Sequence, residues 1–167
     1  MMGEVNSEDV LVSVIIVNYN SGDKLALCVG SIFETNSHTE VVIVDNASSD
    51  NSLAELNSRF PDEPRIQFVL NQENLGFAVA CNQGARRAGG EYLLYLNPDC
   101  KLHENAITIM IDCLNDNPKA GMVGGQILNS DGSEQVGGRR TVPTPWRTLV
   151  RVFRLSFLSK RYPGLFS

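Results

Sequence analysis

The chain has 167 residues, 43% of them hydrophobic and 20% charged, which suits one ordinary domain with a sizeable core. No apolar run approaches the roughly 18–20 residues of a membrane span, and the acidic start MMGEVNSEDV lacks the basic head of a secretion signal, so a cytoplasmic protein is expected. The net charge of −5 is unevenly spread: residues 138–167 hold seven of the fourteen Lys and Arg and no Asp or Glu, a tail of +7 on a body of −12.

The first apolar run, LVSVIIV at 11–17, is short and β-branched and precedes the turn-prone NYNSGD, the pattern of a strand buried on both faces. Residues 23–35 then space Leu25, Cys28, Val29, Ile32 and Phe33 as one face of a helix. The pattern repeats: a strand at 40–45, the loop NASSD, and a helix from Ser52 whose Ser52-x-x-Glu55 resembles a capping box. A third strand, RIQFVL at 65–70, leads through NQENLG to a helix starting near Phe77 and stopping at Gly89-Gly90. The fourth strand is YLLYL, expected to lie buried between helices, and it breaks into Asn97-Pro98-Asp99. A helix at 103–116 is expected to use Ala106, Ile109, Met110, Cys113 and Leu114 as its apolar face. AGMVGGQIL at 120–128 reads as a further strand, followed by an Asp-Gly turn in NSDGS. Cys28, Cys81, Cys100 and Cys113 fit neither a zinc pair nor a disulfide framework, and are expected to be reduced and mostly core-facing.

Four alternations of strand and helix predict an α/β fold, a mostly parallel central sheet with helices on both faces. In such sheets the ligand crevice lies outside the carboxyl ends of the strands. The residues there share one chemistry: Asn18, Tyr19 and Asn20; Asp45 and Asn46; Asn71, Glu73 and Asn74; Asn97 and Asp99. Amides and carboxylates suit a base edge and ribose hydroxyls, and a carboxylate also suits a hard divalent cation. NYNSGDK contains neither GxGxxG nor GxxxxGK[ST], which disfavours dinucleotide oxidoreductases and phosphate-loop NTPases. A pyrophosphate would instead need a metal or basic side chains, and Asp99, held after Pro98, is the reasonable metal ligand. Each residue also has a purely structural reading, as a cap for Asp45 and Asp99 and as a turn residue for Asn18–Asn20 and Asn97.

VSVIIVNYNSGDKL, EVVIVDNASSDNS and NLGFAVACNQGARRAGGEYLLYLNPD, in that order, resemble the family 2 glycosyltransferases of GT-A fold, with the rhamnosyltransferase-like branch the nearest match. The resemblance covers about residues 11–140 and implies a three-layer Rossmann-like sandwich and an inverting hexosyltransferase. Its donor would be a nucleoside-diphosphate sugar, rhamnose or another hexose, its cofactor Mg²⁺ or Mn²⁺, and its acceptor a glycan or lipid-linked chain. Carried over by position, Asn18, Tyr19 and Asn20 would line the base pocket and Asp45 would contact the base. Asn74, Gly76, Phe77 and Asn82 would border the nucleotide, while Asn97 and Asp99 would occupy the family's Asp-x-Asp element, with Asp99 on the metal. Asn97 departs from that pattern, since an amide brings no charge to a cation. No Glu-Asp pair follows Asp99 to serve as general base, so the expectation is an N-terminal, donor-binding half that binds without turnover. The alternative is a non-catalytic nucleotide-binding or interaction module of the same fold.

The expected division is a donor half over 1–140 and, over 141–167, a Pro/Arg linker with a basic amphipathic helix. Arg147, Arg151 and Arg154 beside Leu149, Val150, Phe153 and Phe157 fit two readings: peripheral membrane contact through 146–160, or packing and self-association as a homo-oligomer. Nucleic acid is not among the expected partners.

Overall fold

A computed structural model describes residues 11–35, 38–129 and 131–135. The described residues fall into two compact units, one ending at Val123 and one beginning at Gly124. In the first, chain order is β1 (Val12–Asn18), α1 (Lys24–Thr35), β2 (Thr39–Asp45), α2 (Ser52–Arg59), β3 (Ile66–Leu70), α3 (Phe77–Arg87), β4 (Tyr92–Leu96) and α4 (Ala106–Asp116). The amphipathic segment 146–160 lies outside the described residues. No described helix is long and apolar enough to cross a membrane.

The four strands form one parallel sheet in the order β3-β2-β1-β4. Parallel neighbours need crossovers, and right-handed crossovers decide which face each helix covers. The chain steps one way from β1 to β2 to β3, so α1 and α2 share a face; it then returns past β1 to β4, which puts α3 on the other. The α/β architecture with helices on both faces is therefore as expected.

One face of β1 and β2, Val12, Val14, Ile16, Val41 and Ile43, packs with Leu25, Cys28, Val29 and Ile32 of α1, Leu56 of α2 and Ile107 of α4. The periodicity of α1 is confirmed. That of α4 is corrected: its inner face carries Ile107 and Ile111, whereas Ile109 and Cys113 are exposed. Of the cysteines only Cys28 is fully buried; all four are free. α2 starts at Ser52 as expected, but the capping box is corrected: Asn51 is the N-cap, and the Ser52 hydroxyl bonds Asn18 and Asp50 instead.

α3 sits against the opposite face through small residues. A Cβ on Gly84 would lie 2.5 Å from Ile15 Cγ2, so the helix backbone rests on the sheet itself. Its far end is held by Glu40, a carboxylate only 7% exposed. Glu40 Oε1 accepts from Ser13 Oγ at 2.6 Å and from the Gly89 amide at 2.6 Å, Oε2 accepts from Gln67 Nε2 at 2.8 Å, and the Gly90 amide donates to Ser13 Oγ at 2.8 Å. One buried carboxylate thus ties three strands to the α3–β4 turn, and each donor is satisfied as burial requires.

β4 differs from its expected burial. β1 and β2 are buried on both faces, but β4 alternates, leaving Leu93 and Tyr95 44% and 48% exposed on the α3 side. It pairs only with β1 and so lies at an edge among the described strands. Residues 120–128 form no strand: the described part of the second unit has a single antiparallel bridge, Leu128 to Glu134, across a turn at Asp131-Gly132. The Asp-Gly turn was legible; the glycine-rich segment before it makes no continuous ladder among the described residues.

Candidate functional site

Strand order reverses at β1, whose neighbours are β2 on one side and β4 on the other. That is the topological switch point, where the loops leaving β1 and β4 part and open a crevice. The register aligns the strand ends: Asn18 pairs with Asp45, Asp45 with Leu70, and Ile16 with Leu96, so Asn97 leaves β4 beside Val17. Neighbouring strands are about 4.8 Å apart. Asn18–Asn20, Asp45, Asn71 and Asn97–Asp99 therefore stand in one tier.

Within it Asn18 and Asp45 are interior groups. Asn18 is fully buried and its Nδ2 donates to Asp45 Oδ1 at 2.7 Å and Ser52 Oγ at 2.9 Å, while its Oδ1 accepts from Ser21 Oγ. Asp45 is 4% exposed; its Oδ1 also accepts from Ser48 Oγ at 2.6 Å and its Oδ2 from the Ser48 amide at 3.0 Å. Asn20, with a left-handed φ of 53°, accepts at Oδ1 from the Ser49 amide at 2.8 Å and the Asp50 amide at 3.3 Å. Asp50 returns the link by accepting from the Gly22 amide at 2.8 Å and Ser52 Oγ at 2.6 Å. These bonds hold the Asp50 carboxyl below its usual range, the Ser52 hydroxyl being the largest cause. The loops after β1 and β2 are thereby laced into one rigid wall. Ala47 accepts a φ of 61° within it, a conformation costly for a residue with a Cβ.

The remaining predicted residues form an exposed rim. Tyr19 is 53% exposed, and Asn74, Gly76, Phe77 and Asn82 are all exposed along the approach to α3 and on its first turns. Asn74 Oδ1 accepts from the Gly76 amide at 2.9 Å, fixing the helix start. Asn97 and Asp99 are exposed too. The Asn97 carbonyl accepts from the Cys100 amide at 3.1 Å, closing a turn with Pro98 at the position its fixed φ favours. Cys28 Sγ contacts the same carbonyl at 3.6 Å. Burial, then the neighbouring Cys100 and Asp99, pushes the Cys28 thiol up to about 12, so it is an inert support under the turn.

Among the described residues no hydrogen bond engages the Asp99 carboxylate, and no cluster of three His, Cys, Asp or Glu could enclose a metal. An exposed, uncommitted carboxylate fits a cation that is shared with a ligand's phosphates, as Mg²⁺ commonly is, rather than one caged by protein. A cavity of about 360 Å³ opens beside Asp99 and is lined by Lys24, Cys28, Glu34, Arg59 and Lys101 among others. Of the candidate site residues read from sequence it is lined by Asp99 alone. Lys24, Arg59 and Lys101 were missed because they lie on α1, on α2 and past the turn, outside the strand-end positions.

Sequence reading also passed over the role of Asn46 and Gln83. Asn46, 2% exposed, accepts at Oδ1 from Asn71 Nδ2 at 2.9 Å. Asn71 and Gln83 exchange two hydrogen bonds, at 2.9 and 3.0 Å. Gln83 lies beside the buried stripe of Ala80 and Gly84, and a polar side chain adjoining such a stripe is the signal that marks it.

A parallel sheet that reverses strand order beside a laced polar wall defines an α/β protein with its ligand crevice at the strand ends. The glycosyl transferase family 2 model matches residues 13–163, and the chain belongs to that family. It is 34% identical over 126 residues to the glycosyltransferase GlyG of Streptococcus pneumoniae, covering 74% of this chain and 41% of that one. It is 29% identical over 132 residues to a poly-β-1,6-N-acetyl-D-glucosamine synthase of Staphylococcus epidermidis, covering 78% and 32%. The chain spans half or less of the length of such curated relatives. Among solved structures it is similar to the mannosyltransferase PcManGT of Pyrobaculum calidifontis, in complex with GDP-Man and Mn²⁺ (TM-score 0.59, 26% identity, 64% of this chain and 32% of that). Staphylococcus aureus TarS with UDP-GlcNAc shares the GT-A fold (TM-score 0.58, 20% identity, 65% and 32%).

Proposed function

We propose that this chain forms the donor-binding part of a glycosyltransferase and holds a nucleoside-diphosphate sugar at the carboxyl edge of its sheet. The observation that carries this reading is the tier itself: register alone sets Asn18–Asn20, Asp45 and Asn97–Asp99 side by side at the switch point. Tyr19 and Phe77 offer exposed rings to a base, and Asn74, Gly76 and Asn82 border the nucleotide. Asp45 keeps the wall in place and turns its remaining lone pair to the base. Asn97 and Asp99 face ribose and diphosphate, where Asp99 would hold Mg²⁺ or Mn²⁺ and the cation would neutralise the pyrophosphate. The similar structures that contain GDP-Man with Mn²⁺ and UDP-GlcNAc support a donor of this class.

On this reading the sugar is rhamnose or another hexose, transferred with inversion to a glycan or lipid-linked acceptor on the cytoplasmic side of a membrane. The 167-residue chain would bind the donor without turning it over, because a general base has to stand across the sugar from Asp99 and no described carboxylate is placed there by the sheet. The test is calorimetric titration of the chain with UDP, dTDP and GDP, with and without Mn²⁺. Binding that strengthens with the metal is the expected result; a folded sample giving no heat with any of the three would remove the donor-site reading. A non-catalytic module would bind nucleotide equally well, and separates from the enzyme only by transfer assays on a longer chain.

A further inference from the structure

The cavity beside Asp99 is built on α1. Lys24, Leu27, Cys28, Ser31 and Glu34 recur at three- and four-residue intervals and so line it as one stripe of that helix, with Arg59 from the end of α2 and Lys101 from the segment after β4 completing it. Two ties hold the post-β4 segment to the stripe: Cys28 Sγ to the Asn97 carbonyl at 3.6 Å, and the Leu102 amide donating to Ser31 Oγ at 3.0 Å. The Arg59 guanidinium lies against α1 at Gly30, one nitrogen 3.4 Å from where a Cβ would stand.

Lys24, Arg59 and Lys101 face this space against Glu34 and Asp99, and none of the five forms an ion pair with a described residue. Glu34 lies ten residues from Lys24, about 15 Å along the helix, too far to neutralise it. The cations therefore remain in excess, and the excess grows whenever the Asp99 carboxylate is engaged elsewhere. Leu27, between the charges, is 54% exposed, an apolar surface within a cationic rim. The volume of about 360 Å³ exceeds what one phosphate group needs and falls within the usual range of small-molecule sites, about 300–1,000 Å³.

We propose that this cavity is a second ligand site that binds a phosphate monoester, with the phosphate on Lys24, Arg59 and Lys101 and an apolar ester group on Leu27. Unpaired ammonium and guanidinium groups suit phosphate oxygens, and covering Leu27 adds apolar burial. The inference stands without the donor reading, because neither nucleotide nor metal takes part in it.

The experiment is calorimetric titration of the 167-residue chain, in metal-free buffer of low salt, with hexyl phosphate, inorganic phosphate and hexanol. Hexyl phosphate should bind about tenfold or more tighter than either. Lys24→Ala and Lys101→Ala should each weaken it about tenfold, and Leu27→Ser should bring it down to inorganic phosphate. Lys119→Ala, outside the cavity, should change nothing. Asp99→Asn should act in the opposite sense, tightening hexyl phosphate by removing a repelling charge while weakening Mn²⁺-dependent UDP binding. All five side chains are exposed, so each variant should melt as the parent does. A soluble ester and a lipid headgroup share this chemistry: pelleting with phosphatidic acid vesicles that is lost in the two lysine variants makes the source a lipid, and hexyl phosphate binding without such pelleting makes it a soluble ester. Hexyl phosphate that binds no tighter than inorganic phosphate or hexanol, or that ignores both lysine changes, overturns the proposal. Its displacement by UDP in Mn²⁺ overturns it too, by returning the cavity to the donor site. If UDP gives no heat while hexyl phosphate behaves as described, the donor reading alone falls.

Discussion

At the scale of single residues the site divides into groups that hold the wall and groups that stand free of it, and substitution should separate them. Asp45 accepts three bonds from Asn18 and Ser48 inside the protein. Asp45→Ala strands those donors and should cost about 2 kcal/mol, read as a lower urea midpoint. Asp99 is exposed and makes no side-chain bond among the described residues, so Asp99→Ala should leave the urea midpoint within about 0.5 kcal/mol while weakening Mn²⁺-dependent nucleotide binding about tenfold. Equal binding by the variant and the parent would remove Asp99 from the metal. Cys28 gives a third expectation. Its folded thiol titrates near 12, above the ordinary 9.0, so the unfolded chain ionises first as pH rises. Stability from this group is complete below pH 9 and declines between 9 and about 12; Cys28→Ala should flatten that decline. At pH 8 a thiol reagent should label exposed Cys113 first and Cys28 only on unfolding.

At the scale of elements the strands and helices were legible to within a few residues, because β-branched runs and three-four spacings are local signals. What failed depended on neighbours. YLLYL is as apolar as a central strand, yet its burial is decided by which strands flank it, and the order β3-β2-β1-β4 puts it at an edge. Ser52-x-x-Glu55 has a capping-box pattern, but Asn18 and Asp50 claim the serine hydroxyl from outside the helix. The strand-end residues were legible because the fold class says where to look, while Gln83, Lys24 and Arg59 reach the site region from helices and so escaped that rule. The seat of α3 shows the same dependence. A Cβ on Gly90 would meet the Ser13 backbone nitrogen at 2.7 Å and Val12 C at 3.0 Å, atoms that cannot move aside. Gly90→Ala should therefore cost about 3 kcal/mol, seen as a lower melting temperature. Glu40→Ala should destabilise by about 2 kcal/mol through its orphaned donors, and combining it with Gly90→Ala should give less than the sum because both release the same turn.

For the whole molecule the decisive feature is apolar surface on the first unit that its own helices leave uncovered. α3 packs on the face opposite α1 and α2, with Gly84 over Ile15 and Val44, and on the same face of β4 Leu93 and Tyr95 stay about half exposed. Phe77 and Val79 of α3 itself are 59% and 48% exposed. The same strand has an unpaired backbone edge among the described strands, so it offers hydrogen-bonding groups and greasy side chains together, the combination that draws strands of separate molecules into contact. Charge does not oppose this locally, since YLLYL carries none. The 167-residue chain should accordingly show a mass that rises with concentration in light scattering behind a sizing column. Replacing Leu93 and Tyr95 together by Lys puts two cations on that edge and should return the mass to that of one chain, with the melting temperature little changed because both side chains already face solvent. Salt supplies the control. Association through apolar contact persists or strengthens in high salt, whereas pairing of the +7 tail with the −12 body of another copy is screened away. A parent that associates at low salt, dissociates at high salt and ignores the lysine pair would assign self-association to charge and clear the β4 edge.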